Sequence, residues 1–567
     1  MPNPEFPRQY VKPGDTLAEW DGIESYFNEL EARDIGSVLD LNQWLLDCSA
    51  LQAAIDEVGA DRYVKMTCRT DDAEREKAYL HFVEEIAPRC EPRWHALHVK
   101  HVSCPHAAEL PGPRFEVYDR SVRNQVELFR EENIPLQVEE AKLAQQFQKI
   151  SGAMTVEFDG REQTLQQLGL YLERTDRDLR LRAWERGSAR RLRDAESLET
   201  IFDELLALRH RIALNTGAKD YREYAFKARE RFDYTPEDCL AFHDSVERTV
   251  VPVMRAVHAR RRDALGVDVL RPWDLAVDEK GRGPLRPFES TDELVARCST
   301  IFHRVDPELG DQFDEMNDRG YFDLESRKGK APGGYQTTYE ESRHPFIFMN
   351  AVGLHGDVQT LIHEGGHAFH TYAARHDPLV AYRSSPLEFA EVASMGMELL
   401  ASEHLDVVYD GDDLVRARRR QLEDIITVLP WVATIDAFQH WMYAHPEHTS
   451  EARRDCWLSL RERFGGLEDF SGYDRELACW WQRQLHLFQT PFYYIEYGIA
   501  QLGALQIWCN AREDRRGAIW AYRNGLKLGG SRPLPELFAA AGIRFDFTND
   551  TLKPLVDAVE AELDRLD

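Results

Sequence analysis

The sequence predicts a mostly α-helical protein built as two lobes, and three observations predict it. Apolar residues recur at spacings of three and four through most of the 567 residues. Alternation of the strand type is confined to two short places. No long flexible linker, solenoid-period repeat or low-complexity tract interrupts the chain. At 43% hydrophobic and 11% aromatic residues, a chain of this length buries a sizeable core and has room for more than one lobe.

Taken in order, the amino terminus MPNPEFPRQYVKPGD has two prolines in its first four residues and no apolar run, so neither a signal peptide nor a membrane anchor is expected there. Amphipathic helices are expected over Leu17 to Leu30, Leu165 to Trp184, Leu198 to Leu214 and Leu240 to Leu265. Ala153 to Phe158, the dipeptide Asp159-Gly160 and Arg161 to Thr164 read as a hairpin with a tight turn. A second hairpin is expected from Gly334 to Tyr339 and Pro345 to Asn350, across the polar link Glu340 to His344. Helical periodicity lapses from Pro88 to Pro113 and from Asp278 to Pro287, which marks weak boundaries. The expected organisation is an amino-terminal helical lobe over residues 1–200 and a second lobe over 201–567, intertwined in one body.

Charge excludes more than it selects. With 70 Lys plus Arg against 99 Asp plus Glu, the formal net charge of -29 repels nucleic-acid phosphates and anionic lipid, so neither nucleic acid nor membrane is an expected partner. The same excess is ordinary for a soluble enzyme. Nine cysteines, without a CxxC pair, resemble neither a disulfide framework nor a thiolate zinc site. Idle thiols fit a reducing compartment, and a cytoplasmic location is expected.

The chemistry concentrates in His363-Glu364-Gly365-Gly366-His367, an HExxH pattern. On a helix, residues four apart share a face, so both imidazoles can address one zinc ion. Glu364 is then placed as general base for a metal-activated water. Val358, Leu361, Ile362, Ala368, Phe369 and Tyr372 supply the apolar face that a helix here requires. The paired glycines cost roughly 1 kcal/mol each relative to alanine, so a substrate strand or a second helix is expected to approach them closely.

Zinc needs a third protein ligand, and Glu388, Glu391 and Glu398 are the candidates. Ser385, Pro386 and Glu388 read as N-cap, first helical residue and capping-box partner, which gives Glu388 a structural task. Glu391 lies among Phe389, Ala390, Val392 and Ala393, where an unpaired carboxylate is costly and a metal relieves it. Glu398 has two readings, a hydrogen bond to a ligand imidazole from behind or a solvated surface role. His370 stands too far along the helix to share the ion, and His344 and His355 read as loop residues.

Several motifs in order resemble the thimet oligopeptidase and oligoendopeptidase F family of zinc metallopeptidases. They are Leu270-Arg-Pro-Trp-Asp274, Gly333-Gly334-Tyr335, Pro345-Phe-Ile-Phe-Met-Asn350, HEGGHAFH, Phe389-Ala-Glu-Val-Ala-Ser394, His486, Pro491-Phe-Tyr-Tyr-Ile-Glu-Tyr497 and Leu526 to Phe538. The similarity covers roughly residues 270 to 545. It implies a helical zincin-type fold with a deep central channel and a small sheet beside the metal helix, one zinc ion per chain, and oligopeptide substrates cut internally. It also implies Glu391 as third ligand, substrate contacts at Gly333, Gly334, Tyr335, Phe346 and Tyr494, and a His/Tyr-rich segment. Within that segment His486, Tyr493 and Tyr497 are candidate donors to the oxyanion. Ile495 departs from the aromatic residues frequent in relatives. Rival readings are a zinc exopeptidase of related architecture and a catalytically silent peptide-binding protein. Against the latter, binding alone needs neither a base nor three ligands.

Overall fold

A computed structural model describes residues 5–327, 329–331 and 333–566; the first four residues, on which part of the amino-terminal reading falls, lie outside them. The fold is mostly helical with two small sheets, as the periodicity predicts. Among the described residues no helix is long and apolar enough to cross a membrane.

The chain forms two compact units, one of Met1–Glu127, Arg286–Ala417 and Gly503–Phe545, the other of Leu128–Leu285, Arg418–Leu502 and Asp546–Asp567. The boundary expected at residue 200 does not coincide with this division. Residue 200 falls inside the continuous helix Ala195–Thr216, whose buried Leu198, Ile201, Phe202 and Leu205 tie it to one core. The weak boundary at Asp278 to Pro287, by contrast, contains the crossing point between Leu285 and Arg286.

In the second unit, strands β1 (Thr155–Phe158) and β2 (Arg161–Thr164) pair antiparallel. Asp159 and Gly160 both have positive φ, 52° and 77°, as a tight hairpin turn demands. The helix expected over Leu165 to Trp184 is instead two, Leu165–Leu172 and Arg177–Arg193, because Asp176 caps the second by accepting from the Leu179 N–H at 3.1 Å. Asp274 of the LRPWD segment is wholly buried and ion-paired with Arg177 at 2.7 Å and Arg180 at 2.8 Å, so that motif is a structural clamp.

In the first unit, the stretch from Pro88 expected to break the chain is the helix Ala87–Ser103. Pro88 follows closely on the π-turn Phe82–Ile86 of a continuous helix, whose wider spacing accommodates the missing N–H, and Cys90 and Leu97 anchor the segment in the core. Strands β3 (Phe322–Glu325), β4 (Tyr335–Tyr339) and β5 (His344–Ala351) form a sheet in the order β3-β5-β4, with β3 parallel and β4 antiparallel to β5. The β4–β5 hairpin is as predicted; β3 is not, being four residues long and defined only by its distant partner. The link closes with Arg343 at φ 56° and its N–H donated to the Tyr339 carbonyl at 2.6 Å. His344 begins β5, stacked on Tyr321 and Tyr339, so it is a strand residue and not the loop residue expected.

Candidate active site

Two packed helices of the first unit carry the candidate donors: the motif helix His355–Ala374 and the glutamate helix Leu387–Ser402. Asp357 fixes the start of the motif helix, its carboxylate accepting from the N–H groups of Val352 and Leu354 at 2.8 Å each. His355 opens this helix and bonds to the Tyr409 hydroxyl at 2.7 Å, so it too is not the loop residue expected. The paired glycines let the helices meet. A Cβ on Gly366 would stand 2.6 Å from Ser394 Cα and 2.7 Å from the Ala393 carbonyl, and one on Gly365 would strike the Phe302 ring at 2.7 Å. Of the two explanations expected, the second helix is the one realised at Gly366.

This approach brings Glu391 between the imidazoles. Its Oε2 lies 3.5 Å from His363 Nε2 and 3.7 Å from His367 Nε2. Ser394, one turn on, steadies that oxygen with a hydrogen bond of 2.9 Å. Glu398 resolves its two readings in favour of the one behind the site, since its Oε1 accepts from His363 Nδ1 at 2.6 Å. That bond fixes the His363 ring with Nε2 toward Glu391, the orientation in which Nε2 would face an ion. Glu388 is buried, but the capping box expected for it is absent. Pro386 occupies the N-cap position and Ser385 bonds to the Pro386 carbonyl instead.

Electrostatics divide the three titratable neighbours. Burial pushes Glu364 up to about 7, aided by the charge of Glu391 and opposed by His363 and by a hydrogen bond from the Gln336 backbone. Burial works against charge on His363, but the hydrogen bond and charge of Glu398, with Glu391 and Glu364, outweigh it and raise its pKa to about 10. Burial lowers His367 to about 4. His370 is buried with Nε2 lacking a hydrogen-bond partner and is held near 3, a packing residue as its spacing predicts.

The donor set suits zinc. A tetrahedral ion with bonds of ~2.0–2.1 Å sets its ligands ~3.3–3.4 Å apart, close to the separations observed here. One carboxylate and two neutral imidazoles leave a fourth position open, the pattern of catalytic rather than structural zinc.

The profile of peptidase family M3 matches residues 170–556. The chain belongs to peptidase family M3. Members of this family are generally metal-dependent. An oligoendopeptidase F homologue of Borreliella burgdorferi is 23% identical over 348 residues, 57% of each chain. Oligopeptidase PepF of Bacillus subtilis is 22% identical over 57% of this chain and 49% of its own. The chain thus spans about half the length of these curated relatives. A homologue in Lactococcus lactis subsp. lactis is 21% identical over 97% of this chain and 95% of its own. The solved structure of Pz peptidase A with inhibitor 2 superposes with a TM-score of 0.90 at 28% identity, covering 99% of both chains.

Elsewhere in this M3-family chain the remaining candidates fall into two groups. In the first unit, Gly333 has φ 98° and its carbonyl accepts from Asn350 at 2.9 Å, while Gly334 packs on Thr360 and Met349. The Tyr335 hydroxyl pairs with Thr67 at 2.6 Å and its ring stacks on Phe348, so its side chain is occupied in packing. Phe346 is half-buried against Tyr339. In the second unit, His486, Tyr493, Tyr494 and Tyr497 gather in one cluster, with ring centroids from 4.9 to 5.9 Å. Sequence reasoning passed over Ser394 and the Gln336 backbone; the three-residue spacing from Glu391 to Ser394 was the available signal for the first.

Proposed function

We propose that the chain is a zinc-dependent oligoendopeptidase that hydrolyses internal bonds of short, unfolded peptides. The observation that carries this reading is the Glu391 carboxylate set between Nε2 of His363 and Nε2 of His367, with Glu364 one residue along the same helix. His363, His367 and Glu391 would hold the ion. Bound there, zinc supplies a Lewis acid for the scissile carbonyl and lowers the pKa of water toward neutrality.

The chain's own residues do the rest. Glu364, with a pKa near 7, takes a proton from the attacking water and returns it to the leaving amine. Glu398 keeps His363 in the tautomer that presents Nε2 outward. Strand β4 is an edge of its sheet, and the Gln336 backbone reaches Glu364, so an extended peptide added along β4 by main-chain hydrogen bonds would lie beside the base. Main-chain pairing explains tolerance of many side chains. Gly333, Gly334, Tyr335 and Phe346 would contribute through this hairpin. His486, Tyr493 and Tyr497 are the proposed oxyanion donors, with Tyr494 a substrate contact.

A pool of peptides blocked at both ends, digested with and without chelator and read by mass spectrometry, tests the proposal. Internal cleavage that chelator abolishes is expected. Glu364→Gln should keep its zinc while turnover falls by ~100-fold or more. Failure to cut the blocked pool, with terminal trimming of the same peptides left unblocked, would establish the exopeptidase reading instead, and zinc-loaded protein that turns over neither would establish a binding protein.

A further inference from the structure

The second unit contains a second gathering of metal-type donors that the proposed peptidase chemistry does not use. Helices Pro236–Ala264 and Gly411–Ala444 each place a pair of residues four apart, Cys239 with His243 and Asp436 with His440. Cys239, Asp436 and His440 are buried, and each brings one donor atom within 4.8 Å of the other two. Tetrahedral zinc with Zn–S of ~2.3 Å and Zn–N of ~2.0 Å wants donors ~3.3–3.7 Å apart, so closing on an ion shortens the separations by at most ~1.5 Å.

The polar bookkeeping inside this cluster points to a missing cation. Asp436 is wholly buried, and its ion-pair partners are two imidazoles, His243 at 2.8 Å and His440 at 3.3 Å. His243 donates Nε2–H to Asp436 Oδ2, which leaves Oδ1 without a hydrogen-bond partner. His440 is 3% exposed, yet neither of its ring nitrogens has hydrogen-bond geometry to any partner. Phe226 and Phe492 flank its ring at 6.0 and 5.3 Å, and Phe464 lies 6.5 Å from His243, so aromatic rings pack against both imidazoles. An unsatisfied buried polar group costs roughly 1–3 kcal/mol, and here several converge on one point.

We propose that Cys239, Asp436 and His440 bind a second zinc ion, with His243 holding the Asp436 carboxylate in place from outside. A thiolate, a carboxylate and a neutral imidazole around a divalent ion sum to zero charge, which is what a dry interior accepts. The thiol proton leaves to solvent as the ion binds. The soft sulfur and the imidazole favour zinc over calcium or magnesium. The inference does not rest on the peptidase reading, because it concerns different residues in a different unit.

Cobalt reports on it selectively, since a thiolate-to-cobalt charge-transfer band in the near ultraviolet cannot arise from His363, His367 and Glu391. Full-length protein and its His367→Ala variant, stripped and titrated with cobalt alone, should both show that band. Zinc content measured by mass spectrometry should be two per chain in the wild type and one in His367→Ala. Cys239→Ser should lose the band and one zinc; should it fail to fold, the near-isosteric His440→Gln carries the same expectation. Absence of the band from the wild type and His367→Ala would overturn the proposal and leave Asp436 as a buried carboxylate flanked by His243 and His440. A band that survives in Cys239→Ser would overturn it equally.

Discussion

Gly366→Ala is the sharpest probe of how the helices build the candidate site. The new Cβ would lie 2.7 Å from the Ala393 carbonyl and 2.6 Å from Ser394 Cα, against ordinary contacts of ~3.4 to 3.7 Å, so the helices must separate by about 1 Å. Both obstructing atoms are backbone, so no rotamer change relieves them. Overpacking of this kind costs ~1–3 kcal/mol, while exchanging glycine for alanine in a helix returns ~1 kcal/mol. A net loss of up to ~2 kcal/mol is expected. Glu391 rides on the displaced helix, and its separations of 3.5 and 3.7 Å would open beyond tetrahedral reach. A misplacement of ~1 Å costs about 100-fold in catalysis, so kcat/KM should fall by that order and zinc affinity with it. Gly356→Ala, on the same helix but facing open space, should be neutral or slightly stabilising and fully active. Gly365→Ala should fall between, since it meets only the Phe302 ring, which can yield by repacking against Phe313 and Phe369. Thermal denaturation, chelator competition and a quenched-peptide assay on the three variants give the ranking. A Gly366→Ala protein as stable and active as Gly356→Ala would refute the close approach and the role assigned to it.

Three further outcomes follow from the same geometry. Glu398→Gln removes the charged acceptor behind His363 and should weaken zinc affinity by ~10–100-fold, measured by chelator competition; an unchanged affinity would return Glu398 to a surface role. Tyr497→Phe should lower kcat more than it alters KM, and an unchanged kcat would reassign the oxyanion donor. Burial opposes charge on Glu468, but Arg461, 2.6 Å away, and the His258 ring, 3.3 Å away, hold its pKa at about 2. A depressed carboxylate favours the folded state above its unfolded pKa of ~4.3, a contribution that disappears as pH falls from there toward 2. The gap in thermal midpoint between wild type and Glu468→Gln should therefore narrow between pH 5 and pH 3 from an initial value worth roughly 2–3 kcal/mol, and a gap independent of pH would discount the pairing.

What the sequence disclosed follows from how far each feature reaches along the chain. The imidazole pair, the hairpin turn at Asp159-Gly160 and the β4–β5 hairpin are local, and each repeats a spacing that physics fixes within a few residues. Glu391 was legible because a carboxylate amid Phe389, Val392 and Ala393 is out of place unless something pairs with it. The division into units was not, because Leu285 and Arg286 mark a crossing between segments that are compact only with partners hundreds of residues away. Strand β3 and the helix from Ala87 share that cause: FDLE is a strand only beside β5, and burial of Cys90 and Leu97 carries the helix through Pro88 and Pro92.

The cysteines show the same lesson from the other side. A search for close thiol pairs dismissed all nine, yet Cys239 lies four residues before His243 and Asp436 four before His440, the same one-turn interval that made His363 and His367 conspicuous. The interval from His363 to His367 announces itself because both donors are histidines and a glutamate follows the first. The second set mixes donor types and divides them between helices nearly two hundred residues apart, so only packing brings them together. If Cys239 ligates zinc as proposed, helical spacing of mixed donors, rather than of cysteines alone, is the pattern that locates the second ion in this chain.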